Sequence, residues 1–373
     1  MNFLDCIILN PKISLEKGKI YPFIEMGNVS TCYRNPIAIE HRRFDSGVKF
    51  QDGDTVIARI TPCLQNGKRF FCKGIGTGFG STEYLVFRPK DESVDNLYLY
   101  YFMKTEFMKQ SMINSMTGAT GRQRVNNEVF KDINVHFPDI DIQKKIASIL
   151  SAYDDLIENN QKQIKLLKEA EQRLYKEWFV DLHFPGHEKI IIIDGIPKGW
   201  KKDTLSKVAT LKAGGDKPKT FSKERNVTYT VPVYSNATEN EGLYGYTDNP
   251  VIKEECVTIS ARGSVGYTCL RRIPFVPIVR LISVIPKELD VIYLYFYLKN
   301  FKFDSNGAAQ QQITIPMIKE KEVLIPSETV LNEFIKVVHP MQDAIDKLKS
   351  QTEKLAEARD RLLPKLMSGE IEV

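Results

Sequence analysis

The side chains of this chain that could do chemistry are polar and basic, and they sit in short stretches rich in turn residues. Arg122, Gln123, Arg124 and Asn126 stand together in TGATGRQRVNN, and Gln310, Gln311 and Gln312 in NGAAQQQIT. Lys68 and Arg69 lie in QNGKRFF, Lys217 and Lys219 in GGDKPKTFSK, Tyr234, Ser235 and Asn236 in VPVYSN, and Arg262 and Ser264 in SARGS. The chemistry open to these groups is recognition. An Arg or Lys matches the guanine O6 and N7 acceptors, and Asn or Gln matches adenine. Contacts to phosphate position a protein on a duplex without carrying sequence information. A solvated turn is the plain alternative for the loops at 122–126 and 310–314.

The patterns of an enzyme are missing. No Pro-Pro occurs, which removes the N-P-P-Y type of loop that amino-methyltransferases use. No Asp or Glu is followed two positions later by Lys, which removes the PD-D/E-x-K nuclease pattern, and there is no G-x-x-x-x-G-K-[ST] phosphate loop. GIGTGFG at 74–80 fails G-x-G-x-x-G spacing because Phe79 occupies the third glycine position, and it reads as a flexible loop. His183 and His187 are separated by Pro185 and do not share a helical face, so no metal site is expected. A non-catalytic protein follows from these absences.

The chain has 373 residues, enough for two or three domains, and its 42% hydrophobic and 27% charged content is that of a globular protein. The net charge of +5 permits a polyanionic partner without demanding one. Six cysteines without a C-x-x-C pair read as reduced, mostly buried thiols. No leader pattern opens the chain, and no apolar stretch approaches the roughly 18 residues of a membrane span, so a cytoplasmic location is expected.

What must position the polar loops is a duplicated framework. YLYYFMK (98–104) returns 195 positions later as YLYFYLK (293–299), and TGATGRQRVNNEVFKDINVHFP (117–138) aligns with NGAAQQQITIPMIKEKEVLIP (306–326). After each block comes a heptad pattern, through Ile142, Ile146, Ile149, Tyr153, Leu156, Asn160, Leu167 and Leu174, and through Val330, Phe334, Val337, Met341, Ile345, Leu348, Leu355 and Leu362. RLYKEWF (173–179) falls opposite RLLPKLM (361–367) at an offset of 188. Each helix of roughly 38 residues would run about 57 Å and needs a partner for its apolar stripe. Each intervening globular body has its termini close together, so the two helices are expected antiparallel, with a globular unit at each end of a pseudo-two-fold rod.

Asn160 on the stripe is expected to fix register, Pro364 to kink or end the second helix, and Ser368 with Gly369 to cap it. The runs DTVIARI, EYLVFRP, CVTISARG and RLISVIP read as strands, and the two aromatic heptapeptides as helices packed on them with their rings in the core. The fold class is α+β. The expected domains are 1–140, a helix over 141–181, a second globular domain over 182–328, and a distal helix and tail over 329–373. The tail IEV (371–373) stands where VDLHF (180–184) stands after the first helix, which places it against the first unit.

This order, with IPKGW (196–200) opening the second unit, PDIDIQKKIASILSAYDDLIENN following the first and LLPKLMSGEIEV closing the chain, resembles the specificity subunits of type I restriction-modification enzymes over essentially the whole length. The first unit departs from it by opening on MNFLDCIILNPK. The resemblance implies two target recognition domains that each read half of a split double-stranded DNA sequence, and helices that set the gap and bind methyltransferase subunits. On that reading the two loops at 122–126 and 310–314 are expected on DNA, Lys68, Arg69, Lys217 and Lys219 on phosphates, and Tyr234, Ser235, Asn236, Arg262 and Ser264 on bases. Restriction subunits would join indirectly. S-adenosylmethionine and ATP would belong to those partners, with no cofactor on this chain. The other readings are an orphan or adaptor DNA-binding protein of the same build and a coiled-coil scaffold without a DNA role.

Overall fold

The computed structural model describes residues 1–301 and 312–373. The chain divides into two compact units, Met1–Lys165 together with Asp346–Val373, and Leu166–Ile345.

In the first unit the strand Tyr84–Pro89 lies between Ile7–Leu9 and Thr55–Ala58, with Arg69–Phe71 beyond, all antiparallel. Successive side chains of a strand point to opposite faces. Leu85 and Phe87 accordingly join Phe3, Leu99, Met103 and Phe130 on one side, while Tyr84 and Val86 join Ile24, Phe50 and Phe70 on the other. A second sheet runs Glu40–Arg43, Ile20–Ile24, Thr77–Gly80, Val48–Gln51, its middle pair parallel. The glycine-rich stretch therefore ends in an inner strand and is not the flexible loop expected. Its glycines are needed for close approach: a Cβ on Gly78 would lie 2.8 Å from the Pro22 carbonyl oxygen, and one on Gly80 2.6 Å from that of Ile24.

The second unit repeats this topology. Ile282–Pro286 lies between Ala209–Ala213 and Cys256–Ile259, with Thr268–Arg271 beyond. The smaller sheet Leu243–Thr247, Val231–Tyr234, Val276–Pro277 again contains one parallel pair. Each unit also carries an aromatic helix, Asn96–Phe102 and Val291–Lys299. Asp95 accepts from the amides of Leu97 (3.0 Å) and Tyr98 (2.8 Å), and Asp290 from those of Ile292 (2.8 Å) and Tyr293 (3.1 Å), so the same N-cap starts both. Tyr98, Tyr100, Tyr101, Tyr293 and Phe296 are buried, as core rings.

The two openings also do the same work. Lys201–Thr204, just after IPKGW, pairs with Glu322–Ile325 ahead of the distal helix. In the first unit the Phe3 amide donates to Ile133 (2.8 Å) and the Val135 amide to Met1 (2.9 Å) ahead of the central helix. Trp200 is buried against Phe179 and Phe184, ring centroids 5.8 and 5.1 Å away.

The central helix spans Ile140–Tyr175 and closes in a π-helical turn, Lys176–Val180; the distal helix spans Glu328–Ser368. Within the first unit they pair antiparallel: Asp154 holds Arg359, and Asn160 Nδ2 donates to Thr352 Oγ1 at 3.4 Å. Within the second unit Gln342 Nε2 donates to Glu171 Oε2 at 2.8 Å, the same direction of pairing. Asn160 is thus on the stripe with a partner. Of the rest of the stripe, Ile146, Val330, Phe334 and Ile345 are buried as expected, while other positions differ from the expected register. Gln143, Ala147, Leu150, Asp154 and Ile157 are buried, whereas Ile142 and Leu156 are exposed, and on the distal helix Val338 is buried and Val337 exposed. Four buried polar side chains, Gln143, Asp154, Asn160 and Glu171, disguise the face that packs.

Pro364 neither ends nor breaks the distal helix. Leu363 and Leu366 are buried on Tyr98, Tyr100, Tyr101, Ile146 and Leu150, with Met367 packed beside them, and this packing holds the turn that the missing proline N–H weakens. The helix stops at Gly369, whose φ of +77° is left-handed and whose amide donates to Leu366 at 3.3 Å. Val373 packs partly buried on the same cluster, so the tail docks within the first unit.

Candidate nucleic-acid interface

The loop that carries Arg122, Gln123 and Arg124 is a pinned hairpin. Thr117 and Arg124 exchange backbone hydrogen bonds of 3.0 and 2.9 Å, and the Val125 amide donates to Arg59 at 2.9 Å. The Thr61 amide donates to the Gln123 carbonyl (2.9 Å), and the Gln123 amide donates to Thr61 Oγ1 (3.0 Å). Hydrogen bonds of this kind lock the loop to the end of strand Thr55–Ala58 and leave the side chains of Arg122 and Arg124 exposed and that of Gln123 half-buried. Asn126 is exposed as well, with Oδ1 accepting from the Glu128 amide at 3.1 Å, so it also shapes the turn that follows.

Arg124 is not a free cation. Its Nε and Nη2 donate to Glu83 Oε1 at 3.0 and 2.7 Å, and its Nη1 reaches the Arg122 carbonyl only at 3.4 Å. The hydrogen bond from Arg124 holds the Glu83 carboxyl below its ordinary range, so the pair is ionised. Glu83 is not among the residues that the sequence singles out. It lies 41 positions away from Arg124, at the mouth of a predicted strand, and only pairing of that strand with its neighbours brings the two together.

Lys68 and Arg69 are held on the protein itself. Lys68 Nζ donates to the Met26 carbonyl at 2.9 Å, and Arg69 to those of Gly67 (3.2 Å) and Met103 (3.4 Å). Burial lowers the pKa of the Arg69 guanidinium, which marks it as a framing group.

In the second unit the Ile313 amide donates to Ala261 at 3.0 Å, as Val125 does to Arg59, so the equivalent loop enters its sheet in the same way. Gln312, just before it, accepts from Arg262 Nη2 at 3.2 Å; Ser264 is exposed beside them. Gln310 and Gln311 lie outside the described residues. Asn236 acts as a bracket, donating to Val279 (2.7 Å) and accepting from the Ala261 amide (2.8 Å), and the Ser235 amide donates to Gly242 at 2.8 Å. Tyr234 is half-buried, with the Arg271 guanidinium 3.6 Å from its ring centroid and Phe275 5.6 Å away, so one face of the ring is already taken by a cation of the protein itself.

Lys217 and Lys219 are exposed on a basic segment with Lys212, Lys223 and Arg225. Lys217 lies 3.7 Å over the Phe221 ring and Lys223 4.4 Å over Tyr244. Ser222 and Tyr246 exchange backbone bonds of 2.9 and 2.8 Å and hold the segment to the small sheet. Gly245 permits that approach, since a Cβ there would come 2.5 Å from the Ser222 carbonyl oxygen.

The two units thus share one scaffold, and the first presents a pinned loop of polar side chains. The family model described as the type I restriction modification DNA specificity domain matches residues 7–169 and 197–356. The chain belongs to this family. Its two matched segments fall one in each half of the repeat. The type I restriction enzyme MjaIX specificity subunit of Methanocaldococcus jannaschii is 28% identical over 308 residues, covering 76% of this chain and 71% of that one. A Mycoplasma pneumoniae protein assigned as a type I specificity subunit is 31% identical over 224 residues, 59% of this chain and 58% of that one. The crystal structure of the type I restriction-modification S subunit from M. genitalium aligns over 98% of this chain and 95% of that one, with a TM-score of 0.57 at 19% identity, and shares the fold. No helix among the described residues is long and apolar enough to cross a membrane.

Proposed function

We propose that this chain is the address-reading subunit of a type I restriction-modification complex. Each unit would read one half of a bipartite duplex target, and the long helices would set the gap and dock methyltransferase subunits, through which restriction subunits join. In this reading the chain itself performs no bond-making step. S-adenosylmethionine and ATP are used by the partners.

The observation that carries the proposal is the pair of equivalent loops. Each enters its sheet through the same backbone bond, at Val125 and at Ile313, yet one presents Arg122, Gln123 and Arg124 and the other presents Gln312 beside Arg262. An identical frame with different hydrogen-bonding side chains suits two different words. Docking on the helices is supported by Ile142 and Leu156, which are 38% and 52% exposed two heptads apart on the central helix, outside the stripe that packs.

The test is a map of adenine methylation in cells with and without this gene. Loss of one split motif made of two short half-sites supports the proposal. An unchanged map in cells that express the protein, together with failure to retain a methyltransferase on purification, refutes it.

A further inference from the structure

We propose that Glu83 and Arg124 together read one guanine in the half-site of the first unit, with Glu83 as the positioning residue that aims the guanidinium. This rests on the DNA-reading function proposed above and names the letter and the group that sets it.

The two edges of the Arg124 guanidinium are unequally occupied. Glu83 takes the side edge, Nε and Nη2, at 3.0 and 2.7 Å. The end fork, Nη1 with the outer hydrogen of Nη2, meets only the Arg122 carbonyl at 3.4 Å, and the side chain is 46% exposed. That fork has the spacing of guanine O6 and N7 and offers donors only, so it opposes adenine, whose N6 is itself a donor.

Charge gives an independent reason to place the pair on a base. A phosphate contact is favoured by uncompensated positive charge. Here a carboxylate neutralises the guanidinium and would repel a phosphate, whereas a neutral base edge carries no net charge for it to repel. Pre-orientation adds to this, because a long side chain already fixed loses less freedom when it binds. The loop beneath is fixed in the same way, through Thr61, Thr117 and Arg59. In the second unit Gln312 stands at the position of Arg124 and accepts from Arg262, so a carboxylate–arginine pair is a property of the first word and not of the frame.

The experiment expresses the full chain with its modification subunits in cells lacking the native gene, and maps methylated motifs for wild type, Glu83→Gln, Arg124→Lys, Arg124→Gln and Arg124→Ala. The wild type is expected to require guanine at one position of one half-site. Arg124→Lys and Glu83→Gln should relax that position alone, lowering its discrimination by about 5- to 150-fold, the range of one bidentate base contact. Arg124→Gln should shift it towards adenine. The other half-site should not change in any variant.

Glu83→Gln and Arg124→Lys preserve size and are the informative pair should Arg124→Ala fail to fold, which melting curves report. If Arg124→Gln leaves the motif intact, or if every variant lowers methylation evenly over an unchanged motif, Arg124 is a phosphate contact or a surface ion pair and the inference is overturned. If the wild-type chain directs no motif at all, the proposed function fails and takes this assignment with it, an outcome distinct from the other two.

Discussion

Arg359 offers the sharpest test of what holds the distal helix to the first unit. Its side chain is 2% exposed and pairs with Asp154, itself 1% exposed. Nη1 and Nη2 both donate to the Cys32 carbonyl at 3.2 Å, and Tyr101 Oη donates to the other oxygen of Asp154 at 2.6 Å. Arg359→Ala would leave a buried carboxylate with one donor and would remove both of the Arg359 donors from the Cys32 carbonyl. Breaking such a pair from one side costs about 3–5 kcal/mol. A unit of about 150–250 residues loses about 2–4 °C per kcal/mol, so its transition should fall by roughly 6–20 °C. Removing the three buried polar side chains at once is different, because the remaining partner Asp360 is half exposed and keeps Lys104. The triple variant Tyr101→Phe, Asp154→Leu, Arg359→Met strands no polar side chain, and buried ion pairs replaced by apolar groups are often neutral or stabilising. It should melt within a few degrees of wild type. The assay is calorimetry of the full chain, with hydrogen exchange at the amides of 98–103 to assign the change to the first unit. A loss below about 1 kcal/mol for Arg359→Ala, or a triple variant as unstable as the single, would refute the reasoning.

Three further expectations follow from the same surroundings and from the basic segment. Burial pushes the Lys104 ammonium down to about 8, so between about pH 8 and its ordinary value near 10.5 the unfolded chain binds a proton that the folded one does not. Stability should therefore rise with pH across that window, and wild type should gain on Lys104→Met between pH 8 and 9.5 in denaturant titrations; a flat difference would contradict this. Leu366→Ala, at a site 2% exposed beneath Tyr100 and Tyr101, should cost about 2–5 kcal/mol in the same titrations, whereas deleting the four residues 370–373, of which only the partly buried Val373 packs, should cost about 1 kcal/mol. Replacing Lys217, Lys219 and Lys223 by Ala should reduce the slope of log binding constant against log salt by about 0.9 for each phosphate that these lysines neutralise, without altering the methylated motif. A changed motif would show that this segment reads bases.

The repeat, the strands and the two long helices were legible because they rest on periodicity, which local sequence displays directly. YLYYFMK and YLYFYLK announce one buried aromatic helix twice. The register of the stripe was legible only in part, since Asp154 and Glu171 are charged residues on the buried face, and only their partners Arg359 and Gln342, about 200 positions away in sequence, make that placement tolerable. Pro364 misleads for a similar reason, because the packing of Leu363 and Leu366 on another segment outweighs the local penalty. Among the site residues, Lys68, Arg69, Tyr234 and Asn236 have the right chemistry, but the fold engages them internally. Glu83 has no local signature at all. A pair such as Glu83 and Arg124 exists only after distant strands are in register.

The division of the chain has a consequence for how it is made. Leu166–Ile345 is one uninterrupted stretch, whereas the first unit lacks Asp346–Val373 until the whole of the second has been synthesised. At about 5–20 residues per second, the ribosome takes roughly 10–40 s to pass from Lys165 to Asp346. Through that interval the first unit waits without its closing helix, with Tyr100, Tyr101 and Asp154 not yet covered by Arg359, Leu363 and Leu366. The later-encoded unit is then the first to be complete, and the nascent protein is most exposed to chaperones and proteases at its earliest-made part.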